Sequence, residues 1–153
     1  MTTSLRTTVL VLGAGELGLS ILQALASHPL RPKTSVLLRP SSKSAPDLPP
    51  NITPVYCDIH SSDLHTYLEG YDIVISATGF SSPSLTQIHL AEAAVKAGVG
   101  RFVPWQFGLD YDLVGKGSGM ELFDEQLEVR RLLRAQSVVK WTIISTGLFT
   151  SYL

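Results

Sequence analysis

The sequence predicts an α/β domain built on a doubly wound parallel sheet with strand order 3-2-1-4-5-6. Three observations predict it. Short β-type apolar runs alternate with helical patterns along all 153 residues, as expected for parallel strands joined by right-handed helical crossovers. A glycine turn joins the first apolar run to the first helical pattern. No internal repeat or linker divides the chain, and its length suits one domain with a sizeable core.

Each element follows from local residue patterns. Residues 9–12 (Val-Leu-Val-Leu) read as a buried first strand. A helix over 16–27 carries Leu17, Ile21, Leu22 and Leu25 at helical spacing and ends before Pro29 and Pro32. The second strand is 34–39. Pro40, Pro46, Pro49 and Pro50 then interrupt residues 40–51 too often for a full helix. The third strand is 52–57, after which Ser61 or Ser62 is expected to cap a short helix ending at Leu68. The fourth strand is 72–77. A long helix over 84–97 has Leu85, Ile88, Ala91 and Val95 as its apolar positions and Gly98 as its stop. The fifth strand is 101–104, and 108–119 reads as loop. A helix over 120–135 is expected to bury Phe123, Leu127, Leu132 and Leu133, and the sixth strand is 141–145.

Composition narrows the function classes. Hydrophobic residues make up 44% and charged residues 16%, with a formal net charge of −1, so no basic excess draws nucleic acid or an anionic membrane. Cys57 is the only cysteine. An intramolecular disulfide is impossible, and a reducing, cytoplasmic setting is expected. No run reaches the ~18 apolar residues of a membrane span, and Glu16 interrupts the apolar run after Arg6 before it resembles a signal segment. His28, His60, His65 and His89 make no metal set with Cys57, since only Cys57 and His60 lie close in sequence.

The turn Gly13-Ala14-Gly15-Glu16-Leu17-Gly18 fits G-x-G-x-x-G. Gly13 allows the tight exit from the strand, Gly15 lets backbone approach a pyrophosphate, and Gly18 lets helix pack on strand. The pyrophosphate would sit at the helix N-terminus, where unpaired N–H groups and the macrodipole favour an anion. The motif alone is weak, and its alternative is a plain strand-to-helix turn. The end of the second strand bears on cofactor choice. An NAD site places an acid about 20 residues beyond the turn; here Arg39 stands there, with Lys43 beyond it. A guanidinium suits a 2′-phosphate, so NADP(H) is expected over NAD, the alternative being two solvated loop cations. Asp58, after the third strand, is placed to accept from an adenine amino group or to cap local backbone. Small residues and one aromatic end the fourth strand (Ser76-Ala77-Thr78-Gly79-Phe80), where the sheet edge approaches a cofactor.

The segment Arg101-Phe102-Val103-Pro104-Trp105-Gln106-Phe107-Gly108-Leu109-Asp110 resembles the RF-P-S-E-F-G-x-D segment of isoflavone reductase-like and NmrA-like proteins, atypical members of the short-chain dehydrogenase superfamily. The resemblance continues through Val129-Arg130-Arg131 and 141–149 and covers essentially the whole chain, with the fungal NmrA-like, aromatic alcohol reductase-like group nearest in flavour. It implies an NAD(P)-binding Rossmann domain over 1–153, followed in the family by a substrate-binding part of comparable length. That part is largely absent here, so the chain is expected to be a C-terminally truncated, nucleotide-binding half. It also implies an NADPH-dependent oxidoreductase acting on small aromatic or secondary-metabolite substrates. By position, Gly13, Gly15, Glu16, Leu17 and Gly18 would line the pyrophosphate, and Arg39 and Lys43 would hold the 2′-phosphate. Thr78, Gly79 and Phe80 would run beside ribose and nicotinamide. Gln106 and Phe107 would face the nicotinamide end, and residues 146–149 would border the substrate cleft.

Three departures bear on activity. Leu12 stands where the plant enzymes carry the first glycine of G-x-x-G-x-x-G, which leaves nucleotide binding unaffected. Gln126 stands at the family's catalytic lysine, and an amide cannot act as general acid or base near neutral pH. No Tyr-x-x-x-Lys pair replaces it, because Tyr56, Tyr67, Tyr71 and Tyr111 all lack a lysine four residues on. The third departure is the length. Gln106, Gln126 and Tyr111 remain as candidates to hydrogen-bond a substrate carbonyl. Three readings therefore stand: a reductase, a non-catalytic NADP-binding redox sensor reporting to a protein partner, and an inactive fragment with its apolar end (Leu148, Phe149, Tyr152, Leu153) exposed or paired with another chain.

Overall fold

The computed structural model describes residues 6–41, 47–79, 84–119 and 121–147. Six strands, β1 (Thr8–Leu12), β2 (Lys33–Leu38), β3 (Ile52–Tyr56), β4 (Ile73–Ser76), β5 (Arg101–Val103) and β6 (Lys140–Trp141), form one sheet among the described residues. Every pairing is parallel, and the order is β3-β2-β1-β4-β5-β6. The helices are α1 (Glu16–Ala26), α2 (Leu64–Leu68), α3 (Thr86–Ala97), α4 (Tyr111–Val114) and α5 (Glu121–Arg134). This is the predicted doubly wound Rossmann fold.

Alternation along the strands sorts the core into two faces. Leu10 and Leu12 of β1 join Leu37, Val74 and Phe102 under α2, α3 and α5. Val11 joins Val36, Leu38 and Leu22 under α1, and Val103, Trp105 and Phe107 extend that side against Leu17 and Ile21. A parallel strand covered on both faces must be apolar at consecutive positions, which is why β1 reads as an unbroken apolar run. Burying each such Leu, Val or Phe stabilises the fold by roughly 1.5–3 kcal/mol. β3 differs: Thr53, Pro54 and Tyr56 are exposed. It is the sheet's outer strand, the position where a proline costs no ladder bond.

Four local expectations are corrected. The 108–119 loop contains α4, whose Asp110 N-cap accepts from the Asp112 amide at 3.2 Å. A four-residue helix is too short to show periodicity; its buried Tyr111 anchors it against α5. The sixth strand is 140–141, not 141–145. β5 offers it only three residues, and the last bond runs from the Thr142 amide to the Phe102 carbonyl at 3.1 Å. The N-cap of α2 is Asp63, although the Ser61 hydroxyl accepts from its amide at 3.2 Å. Leu85 is 64% exposed, because α3 starts at Thr86, two residues later than expected, and Leu85 stands outside it with a left-handed backbone. Among the described residues no helix is long and apolar enough to cross a membrane.

Candidate functional site at the carboxyl edge of the sheet

The glycine turn sits between the ends of β2 and β4. The Gly13 amide donates to the Leu37 carbonyl at 3.1 Å, and the Ala77 amide donates to the Leu12 carbonyl at 2.9 Å. Gly13 has φ +98°, and a Cβ there would stand 3.3 Å from the Ala77 carbonyl oxygen. A Cβ on Gly18 would run into the Gly13 carbonyl group, so α1 leaves the turn this closely only without a side chain. Gly15 is the N-cap of α1, and among the described residues no side chain caps the helix. A Cβ on Gly15 would meet nothing within 4 Å, so the space before the helix N-terminus is open. That cradle fits a diphosphate: the helix end supplies backbone donors and a favourable dipole. Glu16 adds a carboxylate to the first turn, which opposes an anion, but it is exposed and screened by solvent.

Arg39 follows β2 directly and is exposed, two residues past the Leu37 that receives the Gly13 amide. The sequence placed it at this edge, and the register does too. Lys43 and Phe80 lie outside the described residues. Asp58 accepts from the His60 amide at 2.9 Å, the local backbone cap that was one of its two readings. Cys57 beside it is buried. Burial pushes its thiol upward, and the charges of Asp58 and Asp63 add to the shift, so the thiol is not activated.

At the end of β4, Gln87 of α3 donates from Nε2 to Thr78 Oγ1 at 2.9 Å and to the Gly79 carbonyl at 3.4 Å. Glu125 of α5 accepts from the amides of Gln87 at 2.6 Å and Ile88 at 3.3 Å. Neither residue was expected in the site.

At the end of β5, Gln106 is enclosed by side chains. Arg130 Nε donates to Gln106 Oε1 at 2.8 Å, and Gln106 Nε2 donates to both the carbonyl and Oε1 of Gln126 at 2.9 Å. The donor-only guanidinium fixes which way the Gln106 amide points. Gln106 in turn fixes Gln126, whose Nε2 is buried without a partner among the described residues. Arg130 also pairs with Asp110 at 2.8 Å and Asp112 at 2.7 Å, and Arg134 pairs with Asp112 at 2.6 Å. Hydrogen bonds from Arg134 first, then Arg130, hold the Asp112 carboxyl well below the usual carboxylate range. Tyr111 packs beneath the Arg130 guanidinium, 5.3 Å from it. Burial pushes its phenol upward, away from the range a general acid needs near neutral pH. Its hydroxyl too has no partner among the described residues. Phe107 is buried, and its carbonyl accepts from the Thr146 hydroxyl at 2.6 Å.

The structure therefore brings Gln106, Gln126 and Tyr111 into one cluster and places Gly13, Gly15, Gly18, Thr78 and Gly79 along the neighbouring rim. Sequence reasoning missed Gln87, Glu125, Asp110 and Arg130. One signal was available: Gln126, Arg130 and Leu133 share one face of α5 at helical spacing, so polar residues occupy positions a core-facing stripe gives to apolar ones. Among the described residues no three His, Cys, Asp or Glu side chains are grouped to hold a metal. A separate groove, lined by Gln23, Ala26, Ser27 and residues 47–50, lies by the far end of α1 and contains no predicted site residue.

Comparison with known proteins agrees with this architecture. The model of the NmrA-like family matches residues 6–153. A protein of Gibberella moniliformis (strain M3125 / FGSC 7600), described as an NmrA-like family domain-containing oxidoreductase, is 50% identical over 95% of this chain and 52% of its own length. The crystal structure of an isoflavone reductase superposes with a TM-score of 0.76 at 26% identity, over 97% of this chain and 52% of that one. The binary complex of leucoanthocyanidin reductase with NADPH from Vitis vinifera gives a TM-score of 0.71 at 28% identity, over 90% and 49%. The chain thus spans about half the length of the relatives it matches.

Proposed function

The chain belongs to the NmrA-like family, and from that premise we propose that it forms the NADP(H)-binding part of an oxidoreductase that transfers hydride to a small aromatic or secondary-metabolite substrate. The observation that carries the reading is the open cradle at Gly15, before an α1 N-terminus that no side chain caps among the described residues. Arg39 at the neighbouring strand tip, where an NAD site carries an acid, favours the 2′-phosphorylated cofactor. When bound, the nicotinamide supplies the hydride, and the protein supplies orientation and electrostatics. The backbone at Gly13, Gly15, Glu16, Leu17 and Gly18 would hold the pyrophosphate. Arg39 and Lys43 would hold the 2′-phosphate, with Asp58 beside the adenine. Thr78, Gly79 and Phe80 would border the ribose and nicotinamide, and Gln106 and Phe107 would close the nicotinamide end. The NADPH complex of the grape reductase supports the same cofactor class.

The test is a titration of the chain with NADPH and NADH, followed by Trp105 fluorescence with Trp141→Phe to remove the second signal. Saturable quenching with tighter NADPH binding is the expected result. No response to either nucleotide at millimolar concentration would overturn the reading.

One observation favours a second reading, a non-catalytic redox sensor that reports the bound dinucleotide to a protein partner. Gln126, at the family's lysine position, is fully buried and committed to Gln106. Its Nε2, without a partner among the described residues, can donate a hydrogen bond but cannot deliver a proton. NADPH binding without NADPH consumption across a panel of aromatic carbonyls would favour the sensor; turnover with any of them would favour the reductase.

A further inference from the structure

We propose that Gln87 and Glu125 are positioning residues for the nicotinamide half of the dinucleotide, an assignment that rests on the dinucleotide reading above. The chain of contacts starts on α5. Glu125 is only 7% exposed, and its Oε1 takes the amides of Gln87 and Ile88 in the first turn of α3. It is a helix cap delivered from another helix, 38 residues away in sequence. The N-cap residue of α3, Leu85, makes no side-chain bond.

A cap alone would not need this arrangement. An N-cap Ser or Asp with extended backbone ordinarily satisfies such amides locally, without the cost of burying a carboxylate, whereas Leu85 has a left-handed backbone and supplies no cap. What the remote carboxylate adds is orientation. With its amide held by Glu125, Gln87 aims its side chain back at the sheet edge. There Nε2 donates to Thr78 Oγ1 at 2.9 Å and to the Gly79 carbonyl at 3.4 Å, and Ser76 Oγ donates to Gln87 Oε1 at 3.4 Å. This edge adjoins the glycine turn: a Cβ on Gly13 would stand 3.6 Å from Thr78 Cα. A dinucleotide whose diphosphate rests on the turn and whose 2′-phosphate lies at Arg39 must carry its other ribose past Thr78 and Gly79. Glu125 therefore sets one rim of the cleft, while its neighbour Gln126 sets the other through Gln106.

The assignment separates the two halves of the ligand, and so does its test. The native chain, Gln87→Met and Glu125→Gln are titrated by calorimetry with NADPH and with adenosine 2′,5′-bisphosphate, which lacks both the nicotinamide and its ribose. Gln87→Met removes the donor to Thr78 and keeps the volume and the amide bonded to Glu125. It is expected to weaken NADPH by up to about tenfold, the limit reached if binding must re-order the rim that this hydrogen bond held, and to leave the fragment within about twofold. Glu125→Gln keeps an oxygen for the α3 amides and weakens the charge-assisted bonds. It should lower NADPH affinity selectively by a smaller factor, and it decides the matter should the Met variant not fold. Equal losses for both probes, or none for either, overturn the assignment while the dinucleotide reading stands. Failure of the native chain to bind either probe overturns the dinucleotide reading and this inference with it.

Discussion

The β1 and β5 ends of the sheet share one edge but are built from different materials. At β1 the working surface is backbone: three glycines, an uncapped helix terminus and main-chain bonds to β2 and β4. At β5 it is side chain: Gln106, Gln126, Arg130, Asp110, Asp112 and Arg134 form one connected network. The β1 end can receive a ligand because, among the described residues, nothing lies within 4 Å of a Cβ on Gly15. The β5 end is shaped mostly by its own internal bonds. Substitutions at β1 should therefore act on ligand affinity wherever they spare the turn, and those at β5 should act on stability first.

The comparison breaks most severely at Gly18. Gly18→Val places a side chain against the Gly13 carbonyl, a backbone collision that no rotamer relieves. Both properties should fall together, with more than about 4 kcal/mol lost from stability, read by urea denaturation, and no measurable nucleotide binding. A stable, binding Gly18→Val variant would refute the packing of α1 on the turn.

Arg130→Met tests the β5 end. It keeps the stem and strips buried Gln106 Oε1 and the Asp110 carboxylate of their guanidinium donor, while Asp112 keeps Arg134. The expected loss is about 2–3 kcal/mol in denaturation, below that of a fully buried ion pair because Asp110 and Asp112 are partly exposed. Affinity for 2′-phospho-ADP-ribose should be unchanged. Arg39→Ala is the converse. Stability should stay within about 0.5 kcal/mol, while NADP binding weakens by about 1–3 kcal/mol more than NAD binding. Equal weakening of both nucleotides would show that Arg39 does not read the phosphate.

The smallest effect is one of pH. The Asp112 pKa is depressed in the folded state by Arg134 and Arg130. Its stabilisation is therefore present above the unfolded value of about 3.9 and disappears as the pH falls toward the folded value. The stability gap between the native chain and Asp112→Asn, well under ~1 kcal/mol for a solvent-screened carboxylate, should be largest near pH 6 and shrink below pH ~4.

The β1 end was readable in the sequence because its determinants are local. Gly13, Gly15 and Gly18 lie within one turn, and the apolar run of β1 records burial on both faces. The family resemblance was carried the same way, by contiguous segments such as 101–110, and the match over residues 6–153 agrees with it. The β5 end was readable only in part: the sequence singles out Gln106, Gln126 and Tyr111, but not the residues that join them. Sequence reasoning gave Glu125 no role and met Arg130 only within the Val129-Arg130-Arg131 segment; the fold alone places them against Gln87 and Gln106, 38 and 24 residues away.

By itself, then, the sequence determined the alternation of strands and helices, the sheet order and the glycine cradle, because each is written in residues close along the chain. Tertiary structure alone decided which polar residues of α5 are buried and what they hold. A buried charge is tolerable only where distant partners meet it, and spacing along one helix carries no record of who those partners are.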